Sequence, residues 1–118
     1  MVACRYQFPL DFTLPYIYTV VMSELVFEWD EDKNRENQRR HGVSFEEARS
    51  VFFDGQAVEF SDDAHSEEED RFLLLGLSAR LRILMVCHCL RTGGNIIRII
   101  SARKATRREQ KEYPWGKS

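Results

Sequence analysis

Short apolar runs separated by polar turns fill most of this chain, and their spacing predicts an α+β fold. Leu25–Trp29 is a brief apolar run typical of a first strand. Three longer runs, each bounded by turn-forming residues, predict strands at Arg71–Leu77, Arg82–Leu90 and Ile96–Ser101. A shorter strand is expected at Ala57–Phe60. The short connections between the later runs imply antiparallel hairpins.

Helical periodicity and capping residues predict two helices near the N-terminus. The first covers Asp30–His41, with its acids early and its bases late, as the helix dipole favours. Gly42 follows at the position of a left-handed cap. Ser44 and Glu47 have the Ser-x-x-Glu spacing of a capping box, so a second helix is expected to begin at once.

A last helix is expected near the C-terminus. It starts near Thr106, where Glu109 completes a second capping box, and it stops before Pro114. Tyr113 and Trp115 are expected to staple the tail to the core. The order β-α-α-β-β-β-β-α favours one layered α+β structure: an antiparallel sheet of four to five strands, two N-terminal helices and a C-terminal helix.

Length and cysteine content bound the class of protein. A chain of 118 residues has room for one domain. The apolar stretch Phe12–Met22 is interrupted by Pro15 and is too short to span a membrane. Met22 looks like a natural start, so residues 1–21 are expected to be a non-native or disordered extension, and 22–118 one domain. Three cysteines are too few for a secreted disulfide framework and favour the reducing cytoplasm.

The tripeptide Cys87-His88-Cys89 raises the question of a metal site. Its spacing does not suit a zinc knuckle, and in a strand the two thiols share one face while the imidazole points to the other. Two buried structural cysteines are therefore expected, and no metal ligands are assigned.

Acidic and basic residues are separated along the chain. Through Asp70 there are 17 Asp and Glu against six Lys and Arg, and from Arg71 onward 11 Lys and Arg against only Glu109 and Glu112. A pI near 5.9 argues against a nucleic-acid binder, but phosphate recognition depends on the local field rather than on total charge. The alternative is that the two halves fold together and neutralise each other.

The sequence has no cofactor fingerprint, phosphate-binding glycine loop or two-histidine metal pair, so no cofactor is expected. The remaining candidates are basic and acidic side chains near the ends of the predicted strands. Such side chains are suited to reactions at phosphate groups that do not use a metal ion. Arginine can hold a phosphate and stabilise the charge that develops on its oxygens, while His, Glu or Lys moves protons.

Each of these side chains has a structural alternative. Arg71 could pair with the acidic loop that precedes it, and Arg98 could snorkel from a strand edge or bind a buried carboxylate. His65 could be a loop histidine without a task. The acidic run at residues 67–70 is most often a solvated surface.

Several short motifs, in order along the chain, resemble those of the BrnT toxin family. They begin with Phe27-Glu28-Trp29-Asp30, Lys33-Asn34, Asn37 and His41-Gly42-Val43-Ser44-Phe45-Glu46-Glu47-Ala48. They continue with His65-Ser66, Glu69, Arg71 and Gly76-x-Ser78, and close with Ile97-Arg98-Ile99-Ile100-Ser101-Ala102-Arg103-Lys104-Ala105 and Tyr113. The resemblance runs from Leu25 to Tyr113 and leaves the first 21 residues outside it.

The resemblance implies a bacterial toxin of a type II toxin–antitoxin system with a RelE-like ribonuclease fold that acts without metal. It implies a cognate BrnA-like antitoxin as partner. A heterotetramer would then bind operator DNA only through the antitoxin, and no membrane is involved. One departure is visible: the family turn often reads Ser-x-x-Gly-Arg, whereas Leu81 stands here at the glycine position.

The leading hypothesis is a metal-independent endoribonuclease in which the ribose 2′-hydroxyl attacks the adjacent phosphate. The catalytic candidates are Arg71 and Arg103 for phosphate contacts, His65 and Glu69 for proton transfer, and Lys33 for either task. The RNA-binding candidates are Arg98, Lys104 and Arg82. The alternative is a non-catalytic binding module that grips an acidic protein or DNA through its basic C-terminal half.

Overall fold

A computed structural model describes residues 26–62, 71–91 and 95–115. The strands are β1 (Val26–Glu28), β2 (Val58–Ser61), β3 (Arg71–Leu77), β4 (Ile83–Arg91) and β5 (Ile96–Lys104). The helices are α1 (Glu31–His41), α2 (Phe45–Ser50), which a 3-10 turn at Val51–Phe53 extends, and α3 (Arg107–Gln110). The predicted order of elements is confirmed. The proposed extension at residues 1–21 lies outside the described residues.

The five strands form one sheet in the order β1-β5-β4-β3-β2. The three pairings among β2, β3, β4 and β5 are antiparallel, as the short connections predict. β1 pairs with β5 in parallel, so the sheet is mixed and the expectation of a purely antiparallel sheet is wrong at this edge. The reason is that β1 reaches its partner through a long crossover rather than through a hairpin, and such a connection allows parallel pairing.

The sheet separates two apolar clusters, because successive residues of a strand point to opposite faces. The larger cluster lies beneath α1 and α2 and includes Leu74, Val86 and Ile97. The smaller cluster includes Leu75 and Met85 and lies on the other face, under α3 and the tail that follows it. We call this second face, which α1 and α2 leave uncovered, the open face.

Capping side chains fix the ends of α1. Asp30 accepts hydrogen bonds from the backbone N–H groups of Asp32 and Lys33 at 2.8 and 3.4 Å, and Gly42 ends the helix with φ of 69°. The buried side chain of Asn37 binds the carbonyl of Ala102 on β5 at 2.7 Å and accepts from the Ala102 N–H at 3.2 Å. These bonds hold α1 against the sheet.

The capping box predicted for α2 is only half formed. Ser44 Oγ accepts from the Glu47 N–H at 3.0 Å as expected. The Glu47 carboxylate is buried and turns instead toward Ser78 and Arg82, accepting from Ser78 Oγ at 2.7 Å and from Arg82 Nε at 3.0 Å. A buried carboxylate is stabilised more by a charged partner than by a backbone N–H at a helix end. Glu47 therefore forms the ion pair with Arg82 instead of completing the capping box.

Candidate functional site

Three of the predicted arginines lie on the open face. Arg71 on β3 and Arg98 on β5 both lie opposite Cys89 of β4, so two strand spacings, roughly 10 Å, separate their Cα atoms. Arg103 lies opposite Met85, farther along the same strand and on the same face. The sheet therefore gathers on one surface cations that are far apart in the sequence.

An irregularity in β5 produces this arrangement. Arg98 and Arg103 are an odd number of residues apart, and strict alternation would place them on opposite faces. The register shifts between Cys87 and His88, which pair with Ser101 and Ile99 and leave the residue between those two without an opposite residue. This extra residue shifts the alternation of side chains by one position, so both arginines point to the open face.

Arg103 is held by a carboxylate of α3. Its Nη1 and Nη2 donate to the two carboxylate oxygens of Glu109, each at 2.8 Å, and Nη1 also contacts the Lys104 carbonyl at 3.3 Å. Within the described part of the chain, the Nε edge makes no hydrogen bond. This edge, on a side chain 41% exposed, is suited to receive a second, bidentate anion such as phosphate.

The same contact sets the protonation of both partners. Hydrogen bonding from Arg103, opposed by burial and aided by the Thr106 N–H, lowers the pKa of Glu109 to about 2. The bond to Glu109 raises the pKa of Arg103 above its ordinary value. Both groups are therefore charged at any physiological pH.

Arg98 lies in a second cluster at the β1 edge of the open face. Its Nε donates to Glu28 at 3.0 Å, and Arg91 Nε reaches the same Glu28 oxygen at 3.4 Å. The predicted alternative, a carboxylate partner for Arg98, is thus present, although Glu28 is only partly buried. Arg91 was not among the candidates predicted from the sequence. It lies two residues from Cys89 on the same strand and therefore points to the same face, which is the feature that could have identified it.

Arg71 opens β3 and is half-buried. Its carbonyl accepts from the Asp62 N–H at 3.0 Å, and its positive charge lies close enough to act on Cys87. The acidic loop that could pair with it lies outside the described residues, as do the proton-transfer candidates His65 and Glu69.

The remaining candidates lie elsewhere. Lys33 is exposed on α1, on the other side of the sheet. Arg82 binds Glu47 and the Gly42 carbonyl, also on the helix side. Lys104 lies opposite Leu84 of the larger cluster and so belongs to that side as well. The structure does not bring these three together with Arg71 and Arg103.

The tripeptide around His88 is structural. Cys87 and Cys89 are free thiols and buried, which confirms the prediction. Burial, with a smaller contribution from Asp62, raises the pKa of Cys87 to about 11, so the thiol is an unreactive neutral group at neutral pH. His88 is fully buried on the helix side, with its ring 4.8 Å from that of Phe52.

The tail after α3 is fastened to the core through the buried Tyr113, as predicted, but the prediction is wrong for Trp115, which is 56% exposed and makes its side-chain hydrogen bond and ring contact with α3 and the tail itself. The Tyr113 hydroxyl donates to Asp54 at 2.8 Å, and Trp115 Nε1 donates to the Gln110 carbonyl at 3.0 Å. Burial and the Asp54 carboxylate raise the pKa of Tyr113 to about 12. The tyrosine is therefore a structural hydrogen-bond donor. No helix in the described ranges is long and apolar enough to cross a membrane.

Comparisons with known proteins agree on one family. The family model described as "Ribonuclease toxin, BrnT, of type II toxin-antitoxin system" matches residues 29–109. The crystal structure of the Brucella abortus ribonuclease toxin BrnT is similar, with a TM-score of 0.53 and 25% sequence identity over 70% of this chain and 99% of that chain. Curated protein sequences yield no match. The matched residues include every strand of the open face except β1.

Proposed function

The chain belongs to the BrnT family of ribonuclease toxins of type II toxin–antitoxin systems, and from this we propose that its open face carries the RNA-cleaving site. The observation that supports the proposal is the convergence of Arg71, Arg98 and Arg103 on one surface. The resemblance noted in the sequence also implies a RelE-like fold for this domain.

The proposed reaction is attack of a ribose 2′-hydroxyl on the neighbouring phosphate, which forms a 2′,3′-cyclic phosphate and breaks the bond to the 5′-oxygen of the next nucleotide. A general base takes the proton from the 2′-hydroxyl, and a general acid gives a proton to the leaving 5′-oxygen. Arg103 offers its Nε edge to the attacked phosphate and stabilises the negative charge that grows on the phosphate oxygens during attack. Arg71 lies on β3, on the far side of β4 from Arg103, and offers a second cation to the neighbouring phosphate of the RNA, which holds the strand in position for attack. His65 and Glu69 are the groups proposed to move the protons, because such side chains are effective general acids and bases. Side chains alone supply this chemistry, so we propose that no metal is needed.

The catalytic proposal is tested with free toxin, RNA and EDTA. We expect cleavage to continue in EDTA, and Arg71→Ala and Arg103→Ala each to lower the rate on the order of a hundred- to a thousand-fold. Arg107→Ala is the matched control, because Arg107 is exposed on α3 and has no role in the proposal. RNA that stays intact with wild-type toxin, both alone and in translating ribosome extract, would contradict the proposal.

We also propose a cognate, BrnA-like antitoxin that neutralises the toxin by covering the open face. Since that face is rich in arginine, the antitoxin surface should be rich in Asp and Glu. The complex is proposed to be a heterotetramer that contacts operator DNA through the antitoxin, because repressors bind symmetric sites as dimers. Co-expression tests this: a single catalytic-site substitution should abolish toxicity but only weaken the complex, so that the variant still co-purifies with the antitoxin. A variant that loses the complex but keeps cleavage would place the antitoxin site elsewhere.

A further inference from the structure

An apolar cleft of about 200 Å³ opens on the open face between β2, β3, β4 and α3. Its lining residues are Phe60, Leu73, Leu75, Met85, Glu109 and Glu112. Phe60 and Leu73 are only half-buried, so an aromatic ring and an aliphatic side chain are accessible there.

The cleft lies between the two arginines of the proposed catalytic site. Leu73 is two residues along β3 from Arg71 and points to the same face. Met85 lies directly opposite Arg103, and Glu109 both lines the cleft and binds Arg103. A cation therefore lies near each end of the apolar surface.

We propose that this cleft is a subsite for one unstacked nucleobase of single-stranded RNA, an inference that rests on the proposed ribonuclease function. A base flanked by two phosphates has an apolar, aromatic face with one negative charge on either side. The cleft offers the complement: a ring and aliphatic walls for stacking, and arginines at the ends for the phosphates. Stacking on aromatic side chains beside cations is the usual way proteins hold unpaired bases.

The acids of the cleft are compatible with this occupant. The charge of Glu109 is balanced by Arg103 through two hydrogen bonds. Glu112 brings a second carboxyl group to the rim and disfavours a phosphate over α3. The base is thus directed into the cleft and its phosphates toward Arg71 and Arg103.

The test uses a 2′-O-methyl RNA hexamer, which lacks the attacking hydroxyl and cannot be cleaved. One base is replaced in turn by 2-aminopurine, whose fluorescence falls on stacking, or by an abasic residue. With wild-type toxin, we expect one position to show quenching and an abasic residue there to weaken binding on the order of tenfold. An abasic series in which every position binds equally would overturn the proposal without any protein variant.

Phe60→Leu supplies the protein side of the test. It removes the ring but keeps an apolar side chain of similar reach. We expect loss of the quenching, on the order of tenfold weaker binding, and no further loss from the abasic residue. Phe53→Leu is the matched control, because Phe53 is 57% exposed and packs near Phe27, away from the cleft.

The outcomes separate this inference from the proposed function. A wild-type toxin that cleaves RNA, with Phe60→Leu unchanged in hexamer affinity and in KM, would overturn the base subsite and leave the ribonuclease proposal standing. A toxin that neither binds nor cleaves RNA would contradict both. A Phe60→Leu variant that loses only antitoxin affinity would assign the cleft to the antitoxin and overturn the proposal.

Discussion

At the scale of single residues, one residue of the turn between β3 and β4 has a strained backbone conformation. Leu81 has φ of 63°, in the left-handed region that glycine adopts most easily, and its side chain is 79% exposed. This is the position where the family turn often has glycine. The turn therefore keeps its conformation although Leu81 replaces glycine, and the backbone strain is confined to Leu81.

Leu81→Gly should stabilise the protein. Removing a left-handed strain of about 1–2 kcal/mol outweighs the added freedom of glycine in the unfolded chain, about 0.5–1 kcal/mol. We expect urea denaturation to show a free energy of unfolding higher by about 0.5–1 kcal/mol. Ala79→Gly, in the same turn but without positive φ, should destabilise instead. A loss of stability in Leu81→Gly would contradict this account.

At Gly76 glycine is required because neighbouring side chains leave no space for a Cβ atom, and not because of the backbone conformation. A Cβ atom there would lie 2.7 Å from Val51 Cγ1 and 3.0 Å from Ala57 Cβ. Gly76→Ala should therefore force β3 away from the 3-10 turn and cost about 1–3 kcal/mol. Thermal unfolding tests this, and an unchanged melting temperature would show that the contact relaxes freely.

The ion pair of Glu47 and Arg82 is a structural pair. Glu47 is almost fully buried, and Arg82 is 26% exposed. Arg82→Ala would leave a buried carboxylate without its charge partner, so we expect a loss of about 3 kcal/mol with RNA affinity unchanged. Arg49→Ala, exposed on α2, should change stability by less than about 0.5 kcal/mol. Weaker RNA binding by folded Arg82→Ala would return Arg82 to the RNA site.

At the scale of elements, α3 couples stability to the proposed site. Thr106 and Glu109 form the predicted capping box, and the same Glu109 carboxylate binds Arg103 on β5. A helix of one turn is marginal by itself. Its position therefore depends on these contacts and on the apolar cluster beneath it.

Glu109→Gln should show this coupling through pH. The folded pKa of about 2 lies below the ordinary 4.5, so the ionised group contributes stability above pH 4.5 that is lost as pH falls toward 2. Wild type should therefore be more stable than Glu109→Gln at pH 7, and the difference should shrink between pH 4.5 and 2.

Thr106→Ala is the control for the helix cap alone. It removes the Oγ bond to the Glu109 N–H at a cost of about 1 kcal/mol and keeps the carboxylate on Arg103. We expect its cost to vary much less with pH. Equal pH dependence in the two variants would assign the acid sensitivity to the cap and not to the ion pair.

At the scale of the whole molecule, the acidic and basic halves of the sequence do meet. Glu28 binds Arg91 and Arg98, and Glu47 binds Arg82. These pairs join the first part of the chain to the last, so part of the charge separation is neutralised on folding. Arg71 and Arg103 also lie on the open face, where Arg103 forms an ion pair with Glu109.

The salt dependence of RNA binding measures how many of these charges meet phosphates. Each cation that contacts a phosphate contributes about 0.7 to the slope of log affinity against log salt for a single strand. We expect Arg71→Ala and Arg103→Ala each to reduce the slope by about 0.7. Lys33→Ala should leave it unchanged, because Lys33 lies on α1 across the sheet. A reduced slope for Lys33→Ala would extend the RNA path onto the helix layer.

Features that depend on local chemistry could be predicted from the order of residues alone. Asp30, Gly42 and Thr106 cap helices because their side chains or backbone freedom suit those positions wherever the chain runs. The apolar runs form strands, and Cys87 and Cys89 are buried thiols. Both features could be predicted because the pattern of apolar residues within a short segment indicates a strand and its burial.

The direction of β1, the partner of Glu47 and the face on which each arginine lies became known only from the folded chain. These depend on contacts between distant parts of the chain. The extra residue in β5 reverses the alternation between Arg98 and Arg103, and Glu109 engages Arg103 only once α3 folds over the sheet. A local pattern carries no information about either event, because each is fixed by long-range pairing and burial.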